Sequence, residues 1–175
     1  MSVRLFVLGA LYEGEAHGYD IIERGRAWGL ESWTDISFSS IYHALRSLAR
    51  DGLAREVSRE SDGGRPQRTV YRITARGRAA FAALMMDLSA DLSPAKDPVY
   101  LVLGFMRLMD AAERKRMLES RAAALDELAE GARAKIAFME GRPETDYWSI
   151  EAVRLCLRRI DAEREWLRGL SSSKG

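Results

Sequence analysis

Between Ser37 and Gly52 the chain spells out a helix with a beginning, an end and a buried side. Ser37 is an N-cap type of residue, Gly52 stands where a helix leaves through a left-handed turn, and Ile41, Leu45 and Leu48 recur at i, i+4, i+7 as one apolar stripe. At about 100° per residue, the opposite face holds Ser39, His43, Arg46 and Arg50, with Tyr42 and Ser47 on its flanks. A solvated helix face ordinarily mixes both signs of charge. This one offers hydroxyls, an imidazole, a phenol and guanidinium groups, and no carboxylate.

The segments around this helix fix its context. Leu53 to Glu60 alternates, with Leu53, Arg55, Val57 and Arg59 on one side and Ala54, Glu56, Ser58 and Glu60 on the other. Ser61 to Pro66 is a turn cluster around Gly63-Gly64, and Thr69 to Ile73 is β-branched and aromatic, so the two runs predict a β-hairpin with a basic tip at Arg65, Gln67 and Arg68. Thr74 then caps a helix expected to run to about Asp91. Upstream, Ser2 to Tyr12 has helical spacing and is ended by Gly14. A second helix opens at His17-Gly18-Tyr19-Asp20, with Ile21, Ile22 and Trp28 as its apolar face and Gly29 as its stop. Three helices, a hairpin and a helix make a winged helix-turn-helix, in which the third helix enters the major groove and the wing reaches flanking backbone or minor groove.

The formal net charge of +1 argues at first against a nucleic-acid partner. Split along the chain, it is a sum of unlike parts. Residues 11–36 carry six acids against two arginines. Residues 37–80 carry nine arginines against four acids, a local charge of +5 with no lysine. Arginine is the side chain that binds phosphate and guanine edges bidentately. The bland alternative is a chain that uses arginine for every surface charge.

Ser93 to Pro98 is a breaker cluster, which sets the expected boundary between a domain at 1–92 and a C-terminal helical domain at 93–175. Val99 to Met109 is strongly apolar. Two longer stretches, Ala111–Glu140 and Asp146–Leu170, repeat at 4,3 spacing through Leu118, Leu125 and Ile136, and through Ile150, Val153, Leu157, Ile160 and Leu167. Each runs for about three heptads, enough for an antiparallel coiled-coil pair within one chain or for a seam between two copies. The fold class is therefore mainly α with a small β-hairpin: a winged helix-turn-helix domain followed by an α-helical dimerisation domain.

Three stretches in order also resemble the PadR family of bacterial transcriptional regulators. Leu5 to Leu11 with His17-Gly18-Tyr19-Asp20-Ile21 resembles its opening, Ser40 to Leu48 with Asp51-Gly52-Leu53 its recognition helix, and Arg65 to Gly77 its wing and the helix that follows. The likeness covers residues 3–85 in sequence and the C-terminal part in kind only. Two departures, His43 where proline is common and Ala49-Arg50 where an acid is common, make the groove-facing side more hydrogen-bonding and more cationic. The resemblance implies a homodimer on a palindromic operator of double-stranded DNA, usually as a repressor, with C-terminal helices joining the protomers. It also implies release by a small aromatic or amphipathic effector in many members. It places the protein in the cytoplasm, at the nucleoid when bound.

The candidate DNA-binding residues follow. Arg46 is the base reader, suited to guanine. Tyr42 and His43 contact base edges or phosphates. Ser39 and Ser40 meet a phosphate or serve the cap alone. Arg65, Gln67 and Arg68 hold phosphate or minor groove from the wing, and Tyr19 reaches a phosphate or packs in the core. Met85, Met86, Phe105, Met106, Met109, Trp148 and Trp166 are candidates for an effector pocket, Met86, Phe105, Met109 and Trp148 foremost, with core filling as the plainer reading. Cys156 is expected as a small buried residue. Two histidines and one cysteine leave little for a metal site, and no cofactor is expected. No run approaches the length of a membrane span. An enzyme is not expected: neither histidine has a nucleophile setting and there is no phosphate-cradling glycine loop. A helical oligomerisation module without DNA binding would account for the heptads, but not for a donor-only helix face beside an arginine-tipped hairpin.

Overall fold

The computed structural model describes residues 2–30, 34–60, 68–92 and 97–172. The chain divides into two compact units, Met1–Pro94 and Ala95–Gly175.

In the first unit, α1 (Ser2–Glu13) is followed by β1 (Ala16–His17), α2 (Gly18–Trp28), α3 (Phe38–Arg50), β2 (Ala54–Glu60), β3 (Arg68–Ile73) and α4 (Ala75–Ser89). Helix α1 is the hub, touching α2, α3, α4 and β3. It contributes Val7, Leu8 and Leu11 to a core completed by Ile21 and Ile22 of α2 and by Ile41, Leu45 and Leu48 of α3. The three α3 residues are 0–1% exposed. Burial of such side chains is worth roughly 1.5–3 kcal/mol each, so the stripe is what holds α3 down. Trp28 differs from the expected apolar face of α2. It lies at the helix end, half-exposed, edge-on to Phe6.

Local chemistry sets the helix ends. Gly29 (φ 67°) and Gly52 (φ 70°) occupy the left-handed region after α2 and α3, which only glycine enters cheaply. The Ser37 Oγ accepts the Ser40 N–H, and the Thr74 Oγ1 accepts the Gly77 N–H at 3.0 Å while donating to the Gly52 carbonyl at 2.8 Å. The wing departs from the expected hairpin in two respects. The sheet has three antiparallel strands in the order β1-β3-β2, because Ala16 and His17, the latter read as the first residue of α2, pair with β3, Ala16 opposite Tyr71 and His17 opposite Val70. And β2 does not alternate: Arg55, Glu56, Val57 and Ser58 are all exposed beyond the buried Ala54, and the pairing with β3 is broken by a bulge between Glu56 and Ser58. The turn expected at 61–66, with the tip residues Arg65 and Gln67, lies outside the described residues.

The second unit contains α5 (Val99–Phe105), a single 3-10 turn (Met106–Leu108), α6 (Ala111–Glu140) and α7 (Tyr147–Ser172). The apolar run from Val99 is thus not one helix to Met109. Its residues Tyr100, Leu101, Phe105 and Leu108 are exposed. Helices α6 and α7 form an antiparallel hairpin about Leu125, Ala129 and Leu167. Ion pairs cross it from Arg121 to Glu163, Arg133 to Asp161 (3.2 Å), Arg164 to Asp126 and Arg154 to Glu140. Cys156 is exposed, contrary to expectation. Its neighbours Val153, Leu157 and Ile160 take the inward positions of α7, which leaves it facing out. No described helix is long and apolar enough to cross a membrane.

Candidate nucleic-acid interface

Helix α3 presents the predicted face to solvent. Ser39, Tyr42, His43 and Arg46 are exposed, while Ile41, Ala44, Leu45 and Leu48 between them are buried. Arg46 makes no ion pair with any described carboxylate, and Arg50 has only its neighbour Asp51 at 3.7 Å. The serines divide their work. The Ser40 hydroxyl donates to the Ser37 carbonyl at 2.6 Å, so it is engaged in the cap and half-buried, whereas Ser39 is exposed and shares a 3.0 Å hydrogen bond with Ser37.

Tyr42 is positioned by the start of α2. A Cβ on Gly18 would stand 2.5 Å from the Tyr42 Cε1 atom and 3.2 Å from Leu45 Cδ1, so the phenol ring lies directly over a residue that has no side chain. Tyr19, which follows Gly18 in α2, is 51% exposed, and Tyr42 is 45% exposed. The Asp20 Oδ2 accepts the His17 N–H at 2.9 Å and occupies part of the α2 N-terminus, leaving that end less open to an anion than the start of α3, which has no acid in its first turn.

At the other end of α3, the acid that could repel DNA is neutralised. The Asp51 Oδ2 lies 3.0 Å from Arg4 Nη1 of α1 and accepts from Ser47 at 3.4 Å. The hydrogen bond from Arg4 is the main reason the Asp51 carboxyl is held below the usual range. The acidic stretch at 11–36 is similarly engaged: Glu13 pairs with Arg24 at 2.7 Å, Glu23 with Arg26, and Glu15 with Arg72 of β3.

One basic pair escapes a reading of the sequence. Arg55 of β2 and Arg72 of β3 are register partners, both exposed. Like charges opposite one another oppose sheet formation, and Glu15 relieves only Arg72. Nothing local in the sequence marks this pair, because it depends on strand register. Arg68 begins β3, opposite Glu60.

In the C-terminal unit, the candidate seam residues pack within the chain. Leu125 and Leu167 are buried, and Leu118, Ile136, Ile150, Val153, Leu157 and Ile160 are half-buried. Among the candidate effector residues, Met86 of the first unit is 72% exposed, and in the second unit Phe105 and Trp148 are exposed and Met109 half-buried. A cavity of about 270 Å³ in the second unit is lined by residues that include two of the candidates, Met106 and Trp166. No cluster of metal-ligand side chains occurs among the described residues.

Residues 7–83 match the transcriptional regulator PadR-like family. No curated protein matches the chain in sequence. Among solved structures, the fold is similar to Bacillus subtilis PadR in complex with operator DNA, at 18% identity, with a TM-score of 0.84 and 99% of each chain covered. The same protein with p-coumaric acid matches at 17% identity and a TM-score of 0.73, over 96% of this chain and 92% of that one. The Vibrio cholerae virulence activator AphA matches at 19% identity and a TM-score of 0.73, over 98% and 96%. At these identities the likeness is one of fold.

Proposed function

We propose, from the match of residues 7–83 to the transcriptional regulator PadR-like family, that this chain is a sequence-specific DNA-binding transcriptional regulator that acts as a homodimer on a palindromic operator. The observation that carries the reading is the outer face of α3, where Tyr42, His43 and Arg46 stand exposed above a fully buried stripe and no carboxylate interrupts them. In the major groove, Arg46 reads a guanine edge. Tyr42 and His43 contact base edges or phosphates, and Ser39 with the free N–H groups at the start of α3 holds a phosphate. Tyr19 serves the backbone from the start of α2, and Arg65, Gln67 and Arg68 track the flanking phosphates from the wing. A dimer seated on a promoter represses by occupying it.

The second copy is met in the C-terminal unit. The heptad residues there hold the α6–α7 hairpin together, and the apolar surface left for a partner lies on exposed neighbours such as Leu128, Phe138 and Leu155. The p-coumaric acid complex of the similar B. subtilis protein supports control by a small molecule.

A salt titration on palindromic and random duplexes tests the reading. Binding through phosphate neutralisation must weaken steeply between about 50 and 200 mM salt and must favour the palindrome at every concentration. Absence of binding at low salt, or indifference to salt, would sink it.

A further inference from the structure

The cavity of the C-terminal unit lies among the start of α5, α6 and the end of α7. Its walls include Leu103, Met106 and Met117, and the Trp166 indole lies along it, 41% exposed. Its charged lining is one acid, Asp97, and one base, Arg121. The Arg121 Nη2 donates to Asp97 Oδ2 at 3.1 Å, and its Nε donates to Glu163. The Asp97 Oδ1 also accepts the Val99 N–H at 2.8 Å, so the carboxylate is fixed in orientation.

Two carboxylates thus share one guanidinium, and the cluster carries one negative charge in excess. Their hold on Arg121 raises its pKa, with the Glu163 hydrogen bond as the largest cause. An organic anion entering here meets a guanidinium whose charge is already more than matched by two carboxylates, and would add a further negative charge to a cluster that has one in excess. An organic cation meets the excess negative charge directly and can lie against the indole, the aromatic face that attracts cations best. We propose that this cavity binds a small organic cation with an apolar body, its charged head between Asp97 and Trp166 and its body against Leu103, Met106 and Met117. The proposal rests on the geometry of the C-terminal unit alone and holds whether or not the N-terminal unit binds DNA.

The experiment titrates the full chain with benzyltrimethylammonium, with its neutral isostere neopentylbenzene and with phenylacetate. It is followed by calorimetry and by the Trp166 indole N–H resonance, identified by its loss in Trp166→Phe. The cation is expected to bind once per chain and to shift that resonance. Asp97→Asn, whose amide oxygen can still accept the Val99 N–H, should weaken the cation about tenfold, the loss of one charge-assisted contact, and leave the neutral isostere unchanged. Should that variant fail to fold, Glu163→Gln removes the same unit of charge from outside the cavity and must also weaken the cation. Equal or tighter binding of the neutral or anionic compound overturns the proposal, as does cation affinity indifferent to these substitutions. Absence of saturable binding also overturns it, and is the result expected if a second copy covers the cavity.

Discussion

Arg46 and Tyr42 share a face of α3, yet the molecule holds them differently. Arg46 projects with no described carboxylate to bind it, so its guanidinium is available for a base edge without first breaking an ion pair. Arg46→Ala should therefore cost about 1–3 kcal/mol on the preferred duplex and flatten the preference at one or two base positions. Arg68→Ala should weaken all duplexes alike and reduce the salt slope. Competition binding on single-base operator variants separates the two, and uniform loss in both would refute the division of labour. Tyr42 is different, because Gly18 makes room for its ring. An alanine at 18 must displace the ring or the helix, so Gly18→Ala should weaken DNA binding, and little further loss should follow when Tyr42→Ala is added. A double-mutant cycle on duplex affinity reads this as a coupling of roughly 0.5–3 kcal/mol, and strict additivity would show that the contact does not matter to binding. The outward face of α3 was legible from helical period alone. The Tyr42–Gly18 approach was not, because it joins two helices and leaves no trace in either one's pattern.

The elements divide along the same line between local and non-local causes. The ends of α2, α3 and α4 could be read because Gly29, Ser37, Gly52 and Thr74 act on backbone groups within a few residues of themselves. Strand β1 could not, since two residues carry no alternation and gain their identity only from pairing with β3. The β2 bulge has no local mark either. Two predictions belong here. At Gly77 a Cβ would stand 2.0 Å from the Leu53 carbonyl oxygen, a backbone atom that cannot swing aside. Gly77→Ala must push α4 away from the start of β2 and should destabilise the chain by about 1–3 kcal/mol or more in urea denaturation. The second concerns the Arg4–Asp51 strap between α1 and the end of α3. The Asp51 carboxyl titrates lower in the folded chain than in the unfolded one, so its contribution to stability is present in full above the ordinary carboxylate range. It is lost as pH falls through and below about 4. Asp51→Asn should accordingly lower stability at neutral pH and bring it closer to wild type in acid. An equal deficit at both ends of the titration would show that the charge of the strap contributes nothing.

Across the whole chain, the near-zero net charge conceals a division of labour that bears on how DNA binding is assembled. Residues 37–80 carry +5, three of the six acids of 11–36 are paired with arginines of the same unit, and residues 93–175 come to only +1, with 15 basic side chains against 14 acidic ones. The C-terminal unit therefore adds little to the attraction for phosphate, and the contribution proposed for it is to join two copies. The 4,3 spacing of α6 and α7 was plain in the sequence but could not say which partner it served, since the same spacing suits a hairpin within one chain and a seam between two. In the structure, the inward residues go to the hairpin, and Leu128, Phe138 and Leu155 remain outside. A fragment of residues 1–92 contains the whole of the first core, from Val7 to Ile73, and should fold alone. It should be monomeric and bind an operator half-site through the same α3 contacts. Without a tethered second copy, its affinity for the full palindrome should fall by roughly a hundred- to ten-thousandfold. Because the salt slope counts phosphates neutralised, the fragment's slope should be about half that of the full chain. Sedimentation and duplex titration on both proteins check this together. A dimeric fragment, or a fragment whose slope equals that of the full chain, would mean that the N-terminal unit pairs by itself and that the helical hairpin serves some other purpose.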